Sequence, residues 1–133
     1  MRKTMKSLAF LGVILGLSAV AVTSHATTTV ILPKRTTFLT FNRPVALPGI
    51  ALGTGTYIFE LADPNGDNSI VRVSSADRQR VYLTAFTYGI QRPSNVRRDQ
   101  PVIFGESSAG TPTPIKAWFP EGSDSGREFI YRK

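Results

Sequence analysis

Cysteine is absent from this sequence, and histidine occurs once, at position 25. The first absence removes disulfides, thiol nucleophiles and thiolate metal ligands. The second confines imidazole chemistry to the extreme N-terminal stretch. Downstream of His25 there is no Ser-His-Asp or Cys-His nucleophilic machinery, no structural zinc site and no histidine haem ligation. A glycine-rich phosphate loop running into a helix is also missing. So is any sustained helical periodicity after residue 26. What remains is a chain of short β-type runs, a modest basic excess and a few exposed-pattern aromatics.

The N-terminus reads as an export signal. Arg2, Lys3 and Lys6 precede an apolar and small-residue run of fifteen, Leu8–Val22, closed by Thr23-Ser24-His25-Ala26. This is the three-part signal-peptide pattern, with cleavage expected after Ala26. As a helix the run spans roughly 22 Å, short of the roughly 30 Å hydrocarbon core of a bilayer. The expectation is therefore a cleaved signal over residues 1–26 and one domain over residues 27–133, periplasmic or extracellular and not membrane-spanning after cleavage. The formal charge of +7 falls to +4 once Arg2, Lys3 and Lys6 are removed. Such a mild excess bears on solubility and loose attraction rather than on fold.

Nine prolines and repeated glycines punctuate the chain. The runs between them are rich in Val, Ile, Thr, Tyr and Phe. That spacing predicts an all-β domain, a small antiparallel β-sandwich of about seven strands. The expected strands are Thr36–Phe41, Thr56–Ala62, Ser69–Ser75, Val81–Tyr88, Val102–Glu106, Ile115–Phe119 and Glu128–Arg132. Thr28–Leu32 is a candidate preceding edge strand. Pro44–Gly49, with two prolines, is expected at an edge or in a loop. Alternation puts Leu39 and Phe41 on one face of the first strand, and Tyr57, Phe59 and Leu61 on one face of the next. Val71 and Val73 are expected to point inward. Ile90–Gln100 reads as a polar loop.

Five segments stand out: Pro44-Val45-Ala46-Leu47-Pro48-Gly49, Gly55-Thr56-Tyr57-Ile58-Phe59-Glu60, Ile70-Val71-Arg72-Val73, Ile115-Lys116-Ala117-Trp118-Phe119 and Gly126-Arg127-Glu128-Phe129-Ile130-Tyr131-Arg132-Lys133. In them the chain resembles a family of small exported bacterial β-domain proteins of unassigned function. Three places depart from the family pattern: Gly53-Thr54-Gly55, Pro120-Glu121-Gly122 and Arg132. The resemblance implies the fold and the compartment, and no mechanism.

Two kinds of site chemistry survive the missing histidine and cysteine. Paired carboxylates among Glu60, Glu106 and Glu128 would suit glycoside hydrolysis; surface glutamates paired with arginines are the plainer expectation. Asp63, Asn65 and Asp67 alternate like the start of a calcium loop. The glycine falls too early, however, and no closing glutamate follows. A hairpin turn accounts for that segment, and no metal or cofactor is expected.

Binding features are clearer. Val81–Tyr88 places Tyr82, Phe86 and Tyr88 on the face opposite Val81, Leu83 and Ala85. Trp118 alternates in the same manner with Ala117 and Phe119. Such aromatics either fill the core or, if exposed, stack on sugar rings. Arg92, Arg97 and Arg98 share one loop and offer a cationic surface. Export argues against nucleic acid and favours a glycan or another envelope component. The sequence thus points to a non-catalytic binding or envelope-associated module, with Tyr82, Phe86, Tyr88, Trp118, Arg92, Arg97 and Arg98 as candidate ligand contacts. The alternative is a structural protein that pairs edge strands with a partner, at Thr27–Leu32 or Pro44–Gly49.

Overall fold

The structure is a computed structural model and describes residues 35–62, 66 and 68–133. The expected export signal, the candidate strand Thr28–Leu32, and Asp63, Asn65 and Asp67 lie outside the described residues.

The described chain is built from strands: β1 (Thr36–Phe41), β2 (Val45–Leu47), β3 (Ile50–Leu52), β4 (Gly55–Leu61), β5 (Ile70–Ser75), β6 (Val81–Gln91), β7 (Val102–Phe104), β8 (Thr113–Trp118) and β9 (Ser125–Phe129). They form one sheet in the order β1-β4-β5-β6-β9-β8-β2-β3, with β7 also on β8. Every pairing is antiparallel except β2 with β8, where Val45 lies beside Thr113 in parallel.

The long strand β6 joins two halves. Its first part pairs with β5 and its last part with β9. The halves face each other across one apolar core. The Phe59 ring on β4 lies 6.1 Å from Trp118 on β8 and 6.4 Å from Phe129 on β9. None of those strands is a sheet neighbour of β4, so these contacts run through the interior. Leu39, Phe41, Tyr57, Val71, Val73, Val102 and Ile115 fill the rest of the core. The alternation read from β1, β4 and β5 therefore decides which face is buried.

Two bulges interrupt that alternation. On β6, Val73 pairs with Leu83 while Ser74 pairs with Val81, leaving Tyr82 as the extra residue. On β8, Ile103 pairs with Ala117 while Phe104 pairs with Ile115, leaving Lys116 extra. An extra residue re-aims the side chains that follow it. Tyr82 consequently turns toward the core beside Leu83, and Ile115 and Trp118, three residues apart, both point inward.

The Pro44–Gly49 segment is not an edge. Its central residues form β2, paired on one side with β3 and on the other with the start of β8. The prolines fall outside the ladder: the Pro44 carbonyl accepts from the Thr113 amide at 3.4 Å. Pro48 and Gly49 make the turn into β3, where Gly49 takes φ 75°, a value glycine adopts without a steric cost. Strand β6 also runs on through Ile90 and Gln91, residues expected to open the polar loop. Pairing with β9 supplies the hydrogen bonds that their sequence alone does not advertise.

Tyr131 fastens the end of the chain. Its hydroxyl donates to the Ile115 carbonyl at 2.6 Å and lies 3.1 Å from the Ala46 carbonyl, at the junction of β8 and β2. Burial pushes this phenol up to about 12. In the unfolded chain it titrates near 10. Between those values the unfolded state releases a proton that the folded state keeps. The stabilisation is therefore complete below pH ~10 and declines as the pH rises toward the folded value. Urea midpoints measured across this window should fall steeply for the wild type and less steeply for Tyr131→Phe. A residual slope remains from Tyr57, whose phenol is also raised by burial and by the nearby Tyr82.

Candidate functional site

The outer face of the first half-sheet can be read row by row from the strand register. Phe38, Ile58, Ser74 and Val81 form one row, in which Phe38 and Val81 are exposed and Ile58 and Ser74 buried, and Thr36, Glu60, Arg72 and Thr84 form the next. Ile70 and Phe86 follow, and then Tyr88 opposite Glu128. Ile130 continues just past β9 on the side opposite the buried Phe129.

Phe86 is 69% exposed and Tyr88 63% exposed, with Ile130 beside them at 40%. Two residues apart on one strand, Phe86 and Tyr88 project from the same face. The other aromatics singled out in the sequence lie elsewhere. Tyr82 packs inward, its ring 5.5 Å from that of Tyr57, and the Arg80 guanidinium sits 5.9 Å from its centroid. Trp118 is 0% exposed at the centre of the core, where no ligand can stack on it.

The arginine loop also divides. Arg92 is buried, with only 6% of its side chain exposed. It donates to the Arg97 carbonyl at 2.6 Å, the Gln100 carbonyl at 2.7 Å and the Ser123 carbonyl at 3.3 Å. Its guanidinium lies 4.3 Å from the Phe119 ring centroid. The same ring also lies against Gly126. Arg92 is thus the peg that holds the 92–101 loop against the sheet. Arg97 pairs with Asp99, and Arg98 with Asp124 at 2.6 Å. Both pairs are exposed, so each carboxylate offsets much of the cationic surface that the loop would otherwise present.

This arrangement predicts a contrast. Arg92→Lys removes the planar fork and the ring stack and should cost about 2 kcal/mol, with faster amide exchange over residues 97–100. Arg97→Ala and Arg98→Ala should each cost less than about 1 kcal/mol. Denaturant melts and hydrogen exchange on the three variants would check it.

Register keeps Glu60 and Glu128 apart. Both Glu60 oxygens accept from Arg78, at 3.2 and 3.0 Å. Arg78 can reach back over the sheet because it takes φ 63° in the turn after β5. Glu60 on β4 and Glu128 on β9 are separated by three strand spacings, roughly 14 Å across the sheet. Glycosidase carboxylates stand about 5–10 Å apart. Glu106 lies beyond the end of β7.

Two features were not singled out in the sequence. Arg72, on the outer face between Glu60 and Thr84, has no hydrogen bond or ion pair among the described residues. The alternation that sends Val71 and Val73 inward already implied its outward position. The other is a cleft of about 320 Å³ lined by Arg43, Pro44, Gly110, Thr111, Pro112 and Thr113. It brings the β1–β2 link against the β7–β8 loop, a juxtaposition that only the parallel β2–β8 pairing creates. Compared with protein-family models, curated proteins and solved structures, the chain matches none.

Proposed function

We propose that this domain is a non-catalytic binding module of the cell envelope, and that it holds a glycan on the outer face around Phe86 and Tyr88. The observation that carries this reading is the exposure of two neighbouring aromatics on one face of strand β6, extended by Ile130. Large apolar side chains grouped in water are a standing cost, and such patches on soluble domains mark contact surfaces. A sugar ring offers an apolar C–H face to an aromatic ring and hydroxyls to its polar surroundings. Tyr88, Glu128 and Arg72 supply those surroundings. Export, as read from residues 1–26, would place the module where such ligands occur.

A glycan-array screen of the protein at low and high salt tests this. Salt-resistant binding to one sugar class, lost in both Phe86→Ala and Tyr88→Ala, is the expected result. Base–aromatic stacking, worth ~1–3 kcal/mol per ring, gives the scale for each loss. Binding that survives both substitutions would rule out the platform.

A second reading rests on the ends of the sheet. Among the described residues β1 pairs only with β4, β3 only with β2 and β7 only with β8, so three open edges could accept a strand from a partner. The edge lies at β3 rather than at the Pro44–Gly49 segment. A concentration-dependent oligomer in light scattering would favour this reading, and a clean monomer at high concentration would count against self-pairing.

A further inference from the structure

We infer that the Phe86–Tyr88 platform takes a sugar carrying an oxyanion, carboxylate or phosphate, received by Arg72; the inference rests on the glycan-binding reading above. The fold declines to make one expected ion pair. Register places Arg72 directly opposite Glu60 on the neighbouring strand. Opposite charges in that position ordinarily pair. Here both Glu60 oxygens are occupied by Arg78, which reaches in from the turn after β5. Arg72 is left half-buried with no hydrogen bond or ion pair among the described residues. Its guanidinium keeps its five donors, in the planar fork that fits carboxylate and phosphate oxygens two at a time.

The position matters as much as the charge. Arg72 faces Thr84 on β6, and Phe86 follows two residues later on the same face. Diagonal neighbours across a strand pair stand about 7–8 Å apart, within reach of a long side chain. Beyond Phe86, Tyr88 faces Glu128. From the Thr84 row to the Tyr88 row is four residues, roughly 13 Å. The face therefore has a direction: a free cation at one end, then Phe86, then Tyr88 with a carboxylate beside it that can accept from sugar hydroxyls. The Arg78–Glu60 pair cancels its own charge, so Arg72 sets the sign at its end. A neutral sugar would leave that guanidinium unused, whereas an oxyanion in line with the stacked rings would engage it.

The test is an NMR titration of the full protein with trigalacturonic acid, galactose 6-phosphate and uncharged galactotriose. Both anionic probes should shift the Phe86 and Tyr88 amides at lower concentration than galactotriose does. Whichever of the two binds more tightly names the source of the oxyanion. Arg72→Gln should weaken the anionic probes roughly tenfold or more while leaving galactotriose unchanged. Arg72→Lys, which keeps the charge and loses the fork, should recover only part of that loss. An unchanged amide spectrum of the free variants shows that the fold is intact. Equal affinity for all three probes, or no effect of Arg72→Gln, would overturn the inference and leave the platform standing. No shift at Phe86 and Tyr88 with any probe would overturn both.

Discussion

Replacing Gly126 with alanine is expected to destabilise the domain by about 3 kcal/mol, the upper end of what overpacking ordinarily costs. A methyl group at this position would stand 2.4 and 2.6 Å from the Cδ1 and Cε1 atoms of Phe119 and 2.7 Å from the Trp118 carbonyl oxygen. The Arg92 guanidinium, 4.3 Å from the ring centroid, restricts the ring's room to move. The carbonyl cannot move without disturbing the pairing of Trp118 with Arg127. Gly53 provides the control: nothing lies within 4 Å of an added Cβ there. Gly53→Ala should therefore change stability by less than about 1 kcal/mol. Thermal or urea melts of the two variants would show whether strand β9 needs its glycine for space rather than for backbone freedom.

Phe59→Ala should be at least as damaging, at about 3–5 kcal/mol. This ring is fully buried and lies within 6.4 Å of Phe41, Trp118 and Phe129. Among the described residues it is the one side chain whose ring partners come from β1, β8 and β9 together, so its removal opens the seam between the two half-sheets. Small domains are stable by about 5–15 kcal/mol in all, and this one has no disulfide to fall back on. The variant should thus be partly unfolded at ambient temperature. Trp118, the single tryptophan, reports on the same seam. Its emission should move to longer wavelength in Phe59→Ala, and stay unshifted in a surface variant such as Arg98→Ala.

The sequence already disclosed most of the strands, because their core-facing residues recur every second position: Leu39 and Phe41 on β1, Tyr57 and Phe59 on β4, Val71 and Val73 on β5. It disclosed less where the period slips. Neither bulge carries a glycine or proline to announce it. The inward turn of Tyr82, and the joint burial of Ile115 and Trp118, came from cross-strand register alone. Strand β3 is three residues long, too short for any periodic signal, and depends on the Pro48-Gly49 turn to meet β2. The candidate site divided along the same line. Phe86 and Tyr88 lie beyond the β6 bulge, where simple alternation holds, and they project outward together. Arg92 looked like its neighbours Arg97 and Arg98 in composition. What separates it is Phe119, some twenty-five residues away in sequence, which offers the ring that draws the guanidinium under the loop. Arg72 was legible as an outward residue. That its natural partner is already occupied depends on the backbone of Arg78, which only the folded turn reveals.

The parallel contact of β2 with β8 has a kinetic side. No short turn can align two parallel strands, and the loop that must close between Val45 and Thr113 takes in most of the domain. The β4-β5-β6 meander pairs neighbours in sequence and can form early. The β2–β3 hairpin has to wait for β8, which is synthesised long after it. During that interval Val45, Leu47 and Leu52 face solvent and any other chain nearby. The yield of native protein should therefore fall as the concentration of refolding chains rises, with this hairpin as the sticky element.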